Sequence, residues 1–124
     1  DVARFPSSAL GTSLRVEHED AAVGMGTAAG LSMAGDPTPY RRLPFFYSDL
    51  FDLGYEAVGV ADARLEVVAD WEVEYRRGFL YFLAGGRVRG VVCWGIFGRI
   101  DEARALVAEP GPFRASDLRG RIAS

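Results

Sequence analysis

The side chains best suited to chemistry lie together at residues 17–20, where three carboxylates surround the only histidine. A carboxylate beside a histidine can support acid–base catalysis, but adjacent side chains on a helix diverge by about 100°. Glu17 and His18 are therefore not expected to form a catalytic dyad. No second histidine or cysteine is spaced to complete a metal site with His18. Residue types alone predict that His18 is an exposed or capping residue at the first turn of a helix.

Three glycines follow, Gly24, Gly26 and Gly30, in a spacing similar to the glycine motif of dinucleotide-binding folds. That motif requires a preceding strand and a helix that starts among the glycines. These glycines fall inside a helical pattern, where each weakens the helix by roughly 1 kcal/mol relative to alanine. We interpret them as a face for close packing against another backbone or a flat ligand, and not as a phosphate site.

Cys93 is the only cysteine, and it lies in the apolar run Val91–Gly95. We expect a buried thiol that packs as a small hydrophobe, and one cysteine excludes an internal disulfide. The net charge of −3 gives no basis for nucleic-acid binding, although all 14 basic residues are arginine. No apolar run reaches the length that spans a membrane. A reducing, cytoplasmic setting is the expectation.

The elements that must position these residues follow an α+β pattern. Residues 1–16 are expected to form a loop-like entry, and a helix is predicted from Glu17 to about residue 34, with carboxylates at its start. Gly35–Pro39 ends this helix, and the aromatic segment Pro44–Phe51 follows. The remaining candidates are strands at Tyr55–Val60, Leu65–Trp71, Gly78–Leu83 and Val88–Phe97, with helices at Asp101–Ala108 and Ala115–Ile122. We predict an antiparallel sheet of three to five strands with helices at its carboxy-terminal end.

Several segments, in the same order along residues 1–108, resemble one family. They are Glu17–Ala22, Pro44–Leu50, Gly54–Gly59, Gly78–Leu83, Gly90–Phe97 and Arg99–Arg104. Together they are similar to the end of the FAD domain and the domain that follows it in pyridine nucleotide-dependent flavoprotein reductases. This family includes ferredoxin reductases and apoptosis-inducing-factor-like oxidoreductases, and the later segments favour the second branch.

The resemblance implies a division of the chain and a set of cofactor contacts. Residues 1–47 correspond to the tail of an FAD-binding domain, and residues 48–124 to a carboxy-terminal interface or dimerisation domain. On this basis the chain begins at an aspartate that accepts hydrogen bonds from the flavin's ribitol chain, so that the cofactor site is divided. The cofactor-binding residues implied are Asp1, Glu17, His18, Glu19, Ala21, Phe46 and Tyr47. No catalytic residue and no metal ligand is implied.

Three departures from the family pattern stand out. Relatives carry an aromatic residue or histidine where this chain has Glu19, and a tryptophan where it has Tyr47. Apoptosis-inducing factor has a long insertion where this chain has only Glu72–Arg77. The short link argues against death-related or DNA-binding functions that depend on the insertion.

The function implied for the intact parent is hydride transfer from NADH or NADPH to FAD, followed by electron transfer to a ferredoxin, quinone or other acceptor. The chain alone is expected to be inactive and not to retain FAD. Its expected partners are the missing FAD and NAD domains and a second copy of itself, with no nucleic acid and no membrane. The alternatives are a free-standing protein-interaction module derived from this domain and, more weakly supported, a small flavin or nucleotide carrier.

Overall fold

The computed structural model describes residues 2–124, so the predicted role of Asp1 lies outside the described residues. The chain divides into two compact units: unit 1 ends at Phe46, and unit 2 is Tyr47–Ser124. None of the helices in the described range is long and apolar enough to cross a membrane.

Unit 1 opens with a two-stranded antiparallel hairpin formed by β1 (Arg4–Ser7) and β2 (Thr12–Arg15). The prediction of a loop-like entry over residues 1–16 is therefore wrong. Pro6 is compatible with a strand here because a two-stranded sheet consists only of edge strands. Leu10 folds inward and is buried with Phe5, which gives the hairpin a small core.

Helix α1 spans Glu19–Met33, two residues shorter at its start than predicted. His18 is the N-cap, with an extended backbone (φ −115°, ψ 149°), and Glu17 lies before the helix. Among the helix residues only Ala21 is buried, and the apolar side chains of Val23, Leu31 and Met33 are exposed. These side chains give α1 an exposed apolar surface.

Unit 2 is built on a five-stranded antiparallel sheet, as predicted for the fold class. Its strand order is β3-β4-β7-β6-β5. The strands are β3 (Phe45–Leu50), β4 (Leu53–Gly59), β5 (Glu66–Val73), β6 (Arg77–Ala84) and β7 (Arg87–Trp94). Strand β3 starts in the last two residues of unit 1, and the sequence pattern did not predict it. The turn between β6 and β7 lies at Gly85 and Gly86: both glycines have positive φ, 56° and 74°, as a two-residue hairpin requires.

One face of the sheet forms the core of unit 2. Alternate residues of β4, β6 and β7 project onto this face and are almost completely buried: Val58, Phe79, Tyr81, Val91 and Cys93. Helix α2 (Ile100–Ala108) packs on β4 and β7, and α3 (Ala115–Leu118) packs on β5. Each large apolar side chain buried in this way stabilises the fold by about 1.5–3 kcal/mol.

The last helix is shorter than the predicted Ala115–Ile122. It ends at Leu118 because the chain turns at Gly120, which has a φ of 70°. The Gly120 N–H then donates to Asp70 Oδ2 at 2.7 Å, and Ile122 is buried beyond it. The segment after α3 is therefore not helical and is held against β5 by this hydrogen bond.

Cys93 is fully buried, as predicted for a thiol that packs as a hydrophobe. Burial raises its pKa to about 12, with smaller contributions from the carboxylates of Glu56 and Glu102. Burial also raises the pKa of Tyr81 to about 12, with a contribution from Asp70. Both groups are therefore neutral in the folded state well above the pH at which they ionise in an unfolded chain.

These pKa shifts predict a loss of stability at alkaline pH. The unfolded chain releases the Cys93 proton near pH 9.0 and the Tyr81 proton near pH 10.0, whereas the folded chain holds both to about pH 12. The free energy of unfolding is fully retained below pH 9 and falls above it by roughly 1 kcal/mol per pH unit for each group. Denaturant titrations followed by the fluorescence of Trp71 and Trp94, both in unit 2, measure this slope. In Cys93→Ala the free energy of unfolding should stay constant up to pH 10 and fall only above it, through Tyr81. An unchanged pH dependence would contradict the assignment to Cys93.

Candidate functional site

The candidate site lies in unit 1, where His18 and Phe46 form a stacked pair of rings. Their centroids are 4.5 Å apart and their planes differ by 17°. The two residues are 28 positions apart in sequence, and both are partly exposed. Stacking of this kind contributes about 0.5–1.5 kcal/mol beyond the area that it buries. The result is a flat aromatic surface directly before helix α1.

The positive end of the helix dipole lies at this stacked pair. The Ala22 N–H donates to the His18 carbonyl at 2.9 Å and closes the first turn of α1. Backbone N–H groups that precede Ala22 do not donate to a carbonyl of the helix, as is the case at every helix start. The His18 side chain makes no capping hydrogen bond. The start of α1 therefore presents partial positive charge next to an aromatic surface.

Arginines balance the carboxylates around the helix start. Asp20 Oδ1 pairs with Arg42 at 2.8 Å, and its carboxylate is mostly shielded from solvent. Its second oxygen, Oδ2, is buried and has no hydrogen-bond partner among the described residues. Glu17 pairs with Arg15 at 3.0 Å, with both side chains exposed, so this pair contributes little to stability. The sequence pattern predicted the carboxylates here but not Arg42, which neutralises the most buried of them.

Tyr40 fixes the position of α1 within unit 1. Its ring meets Phe5 edge to face, with centroids 4.9 Å apart and planes at 87°. Its Cε2 lies 2.8 Å from the place where Gly24 would carry a Cβ. Gly24 is thus a packing position, as predicted, whereas a Cβ on Gly26 or Gly30 would meet no atom within 4 Å.

An open groove of about 310 Å³ runs along the same side of α1. Its walls are the helix residues Val23, Thr27 and Leu31 and the segment 38–42. The lining is mostly apolar, and no metal-ligand cluster of three or more His, Cys, Asp or Glu residues occurs in residues 2–124. The groove is therefore suited to packing against an apolar surface.

The other residues implied as cofactor contacts are placed differently. Ala21 has no exposed surface, and the Glu19 side chain is exposed in the first turn of α1. Tyr47 belongs to unit 2 and is 59% exposed on β3. The structure brings together His18, Phe46 and the start of α1, and this set is the candidate site.

Comparison with known proteins gives matches to apoptosis-inducing factor and to a ferredoxin reductase. Residues 29–74 match the family model described as "Apoptosis-inducing factor, mitochondrion-associated, C-term". The chain is 39% identical to the mitochondrial apoptosis-inducing factor 1 of Dictyostelium discoideum over 119 residues, 86% of this chain and 22% of that protein. It is 31% identical over 101 residues to the ferredoxin reductase subunit of the 5,5'-dehydrodivanillate O-demethylase of Sphingobium sp. (strain NBRC 103272 / SYK-6). That match covers 82% of this chain and 24% of the subunit.

Solved structures show the same fold. The structure of Fdr9 superposes with a TM-score of 0.78 at 22% identity, over 96% of this chain and 32% of that one. The covalent putidaredoxin reductase–putidaredoxin complex gives a TM-score of 0.74 at 18% identity, over 88% of this chain and 26% of that one. The ferredoxin reductase for the CYP199A2 system of Rhodopseudomonas palustris gives 0.63 at 27% identity, over 73% of this chain and 22% of that one.

The fold and the sequence matches identify the chain as a carboxy-terminal domain of the kind found in apoptosis-inducing-factor-like and ferredoxin-reductase-like oxidoreductases. Within that class, the chain belongs to the family of apoptosis-inducing-factor-like oxidoreductases and carries their carboxy-terminal domain. It spans about a quarter of the length of the curated relatives that it matches.

The packing of Tyr40 predicts that two alanine substitutions on α1 will have different effects on the stability of the helix. Gly26→Ala should stabilise the helix by roughly 1 kcal/mol, because the added methyl group meets no neighbour. Gly24→Ala should lose this gain, because its methyl group displaces the Tyr40 ring from Phe5. Hydrogen-exchange protection of the α1 amides measures both effects. Equal protection in the two variants would show that Tyr40 does not hold α1.

Proposed function

We propose that this chain is the carboxy-terminal part of an FAD-dependent NAD(P)H oxidoreductase, in which unit 1 forms one wall of the flavin site and unit 2 is an interface domain. The observation that carries the proposal is the stack of His18 on Phe46 at the start of α1. The family membership supplies the cofactor class. If FAD is bound in the parent, it would supply hydride acceptance from NADH or NADPH and onward electron transfer, and His18 and Phe46 would hold one edge of its ring.

The residues of unit 1 fit the edge of a flat, electron-accepting ring. The partly exposed rings of His18 and Phe46 provide an aromatic surface against which an isoalloxazine can pack. The positive end of the α1 dipole favours negative charge at the ring edge. Arg42 pairs with the Asp20 carboxylate, so this acid adds little net negative charge beside the helix start. Glu17, Glu19, Ala21 and Tyr47 complete the wall in this proposal, with Tyr47 as the aromatic residue at the point where unit 2 begins.

The rest of the cofactor site belongs to the missing domains of the same protein. The described residues contain no strand-turn-helix unit of the dinucleotide-binding type, since the glycines of α1 lie inside the helix. The exposed apolar side chains of α1 and the open positions at Gly26 and Gly30 suit a contact with those domains. The chain alone therefore has no catalytic activity and does not retain FAD.

The partners and the compartment follow from the same proposal. A ferredoxin is the proposed acceptor, supported by the reductase subunit among the relatives and by the reductase–putidaredoxin complex among the structures of this fold. Unit 2 contributes to homo-oligomer formation. The proposed location is the cytoplasm, which the single buried, free thiol supports. The relative from Dictyostelium is a mitochondrial protein.

One observation favours a second candidate, a free-standing interaction module. Val23, Leu31 and Met33 expose apolar surface on α1, and such a surface can bind another protein without any flavin. The module and the flavin-site wall differ in one measurable respect, which is whether flavin contacts the His18–Phe46 pair.

A flavin titration of the intact chain tests the proposal. FMN, added at millimolar concentration and followed by amide NMR, should shift the signals of His18, Glu19, Phe46 and the adjacent Tyr47 and leave the rest of unit 2 unchanged. ADP, which carries phosphates but no isoalloxazine, is the matched control and should not shift them. His18→Ala and Phe46→Ala should each remove the effect, because each substitution takes away one ring of the stack.

Two results would contradict the proposal. Stoichiometric, tight FAD binding, seen as a perturbed flavin absorbance between 350 and 500 nm, would make the chain a flavin carrier. The absence of FMN-dependent shifts at His18 and Phe46 would favour the interaction module.

A further inference from the structure

The sheet of unit 2 carries a continuous row of residues across four of its strands, near the end where β4 begins and β7 ends. Tyr55 on β4 is paired with Trp94 on β7. Trp94 is paired in turn with Gly78 on β6, and Gly78 with Trp71 on β5. Residues paired in this way project from the same face of a sheet. Three of the four residues in the row are aromatic, and each of the three is partly exposed.

This row lies on the face of the sheet that is opposite to the helices. Glu56 and Asp70, each next in sequence to a residue of the row, project to the other face. There Glu56 accepts a hydrogen bond from the Gly98 N–H at 2.9 Å, and Asp70 accepts one from the Gly120 N–H at 2.7 Å. The segments that carry α2 and α3 therefore cover that other face, and the aromatic row is not part of the core beneath them.

Ring contacts join the row and the adjoining β5–β6 turn into one aromatic surface. The rings of Tyr55 and Trp94 are stacked, with centroids 5.7 Å apart and planes that differ by 9°. The indole of Trp71 lies across Gly78, since its Cε3 is 2.8 Å from the place where Gly78 would carry a Cβ. The centroid of the Tyr75 ring is 5.7 Å from that of Trp71, and Trp94 Nε1 donates to the Tyr75 carbonyl at 3.1 Å. We call the four aromatic residues the aromatic strip: Tyr55, Trp71, Tyr75 and Trp94.

Tyr75 belongs to the aromatic strip in spite of an unfavourable backbone conformation. Its φ is 56°, in a region that residues other than glycine rarely occupy. Its side chain is 70% exposed, so burial in the core does not explain its position. Backbone strain of this kind is concentrated at binding sites, which favours a role for the Tyr75 ring in contact with a ligand.

The charges beside the aromatic strip are mostly negative. Four carboxylates and two guanidiniums lie in the two hairpin turns at this end of the sheet and in the strand residues beside them: Asp49, Asp52, Glu72, Glu74, Arg76 and Arg77. Both arginines are already in ion pairs of 2.7 Å, one with Asp52 and the other with Glu72. The other two carboxylates have no ion-pair partner among residues 2–124. Aromatic rings on a sheet also suit RNA, but this excess of negative charge disfavours any nucleic acid.

A cationic partner suits both the rings and the charges. A guanidinium or ammonium group is attracted to the face of a tryptophan or tyrosine ring, and unpaired carboxylates strengthen the attraction. Successive rings are 5.7 Å apart in both measured pairs. Alternate side chains of an extended peptide are about 6.7 Å apart, and four neighbouring strands span about 14 Å, so a peptide of about five residues can place a basic side chain on each successive ring.

We propose that the aromatic strip binds an extended segment of a partner protein in which arginine or lysine side chains occupy alternate positions. The basic side chains lie on the rings, and the unpaired carboxylates at the same end of the sheet attract the segment. This binding is separate from the role proposed for the flavin-site wall, because every residue of the strip belongs to unit 2.

A peptide titration of the full chain tests the proposal. The protein has only two tryptophans, Trp71 and Trp94, and both lie in the strip, so their indole N–H signals in NMR spectra report on it directly. A capped peptide with the sequence arginine-serine-arginine-serine-arginine, added to millimolar concentration, should shift both signals, and its affinity should fall as salt is added. The matched control has citrulline in place of arginine, which keeps the shape and removes the charge. It should bind about fivefold more weakly or less.

Two glycine substitutions separate the aromatic strip from its surroundings. Tyr75→Gly removes one ring and should weaken binding of the arginine peptide by about fivefold. Phe51→Gly is the matched control, because Phe51 is also an exposed aromatic residue in a hairpin turn, with a φ of 58°, but lies outside the strip. It should leave the affinity unchanged. Neither variant should unfold at a lower temperature, since glycine is favoured at positive φ, so weaker binding cannot be explained by a loss of fold.

Four results would overturn the inference. They are the absence of any shift with the arginine peptide, equal binding of the arginine and citrulline peptides, equal affinities of the two glycine variants, and tighter binding of a short uridine oligonucleotide than of the peptide. The last result would make the strip an RNA-binding surface. The flavin titration reports on His18 and Phe46 in unit 1, so the two experiments can fail independently.

Discussion

The ring of Tyr40 against the backbone of Gly24 is the contact on which the arrangement of unit 1 depends. Helix α1 buries almost none of its own side chains, so it has little other contact with which to hold its position. Tyr40 packs between the helix and Phe5 of the hairpin, which is possible only because Gly24 lacks a side chain. The start of α1 is then held beside Phe46, and the aromatic stack forms there. The absence of a side chain at Gly24 thus allows the contact that positions the start of α1.

Unit 2 is stabilised in a different way. Its sheet buries one face completely against α2 and α3, and the only thiol lies at the centre of that face. Burial disfavours the charged forms of Cys93 and Tyr81 and raises the pKa of each, so that this core contains no charge from either residue at neutral pH. Unit 1 therefore contains a helix, α1, whose side chains are mostly exposed, while unit 2 has a well-packed apolar core.

The sequence predicted the central strands because their signals are local. The apolar run of β6 and the glycine pair between β6 and β7 identify the hairpin without any tertiary information, although the residues that share the core face with Val91 and Cys93 are Phe79 and Tyr81 and not Leu80 and Phe82. The hairpin at Arg4–Arg15 was missed because Pro6 and Gly11 are usual loop residues, and its short strands carry only two inward apolar side chains. Strand β3 was missed because its consecutive aromatic residues show no alternation. The start of α1 was predicted two residues early, because acidic residues indicate a helix start but not which residue is the cap.

The candidate site shows the same limit. Carboxylates at a helix start are visible in the sequence, but the partners of His18 and Asp20 are Phe46 and Arg42, more than 20 positions away. Only the family resemblance placed Phe46 near His18, and neither pattern nor resemblance indicated Arg42. The role of Tyr40 was also invisible, because a single tyrosine after a proline-rich turn carries no signal for a contact with a glycine in the preceding helix.

The strand order of unit 2 also determines when its sheet can be completed during synthesis. Strands β5, β6 and β7 pair with their neighbours in sequence, whereas β4 pairs with β7 across the two strands between them. The β3–β4 hairpin leaves the ribosome first and has no partner until β7 has emerged. During that interval its backbone is an open edge that can pair with another nascent chain. The central position of β7 therefore means that the last strand of the sheet to be synthesised is the one that covers the open edge of β4.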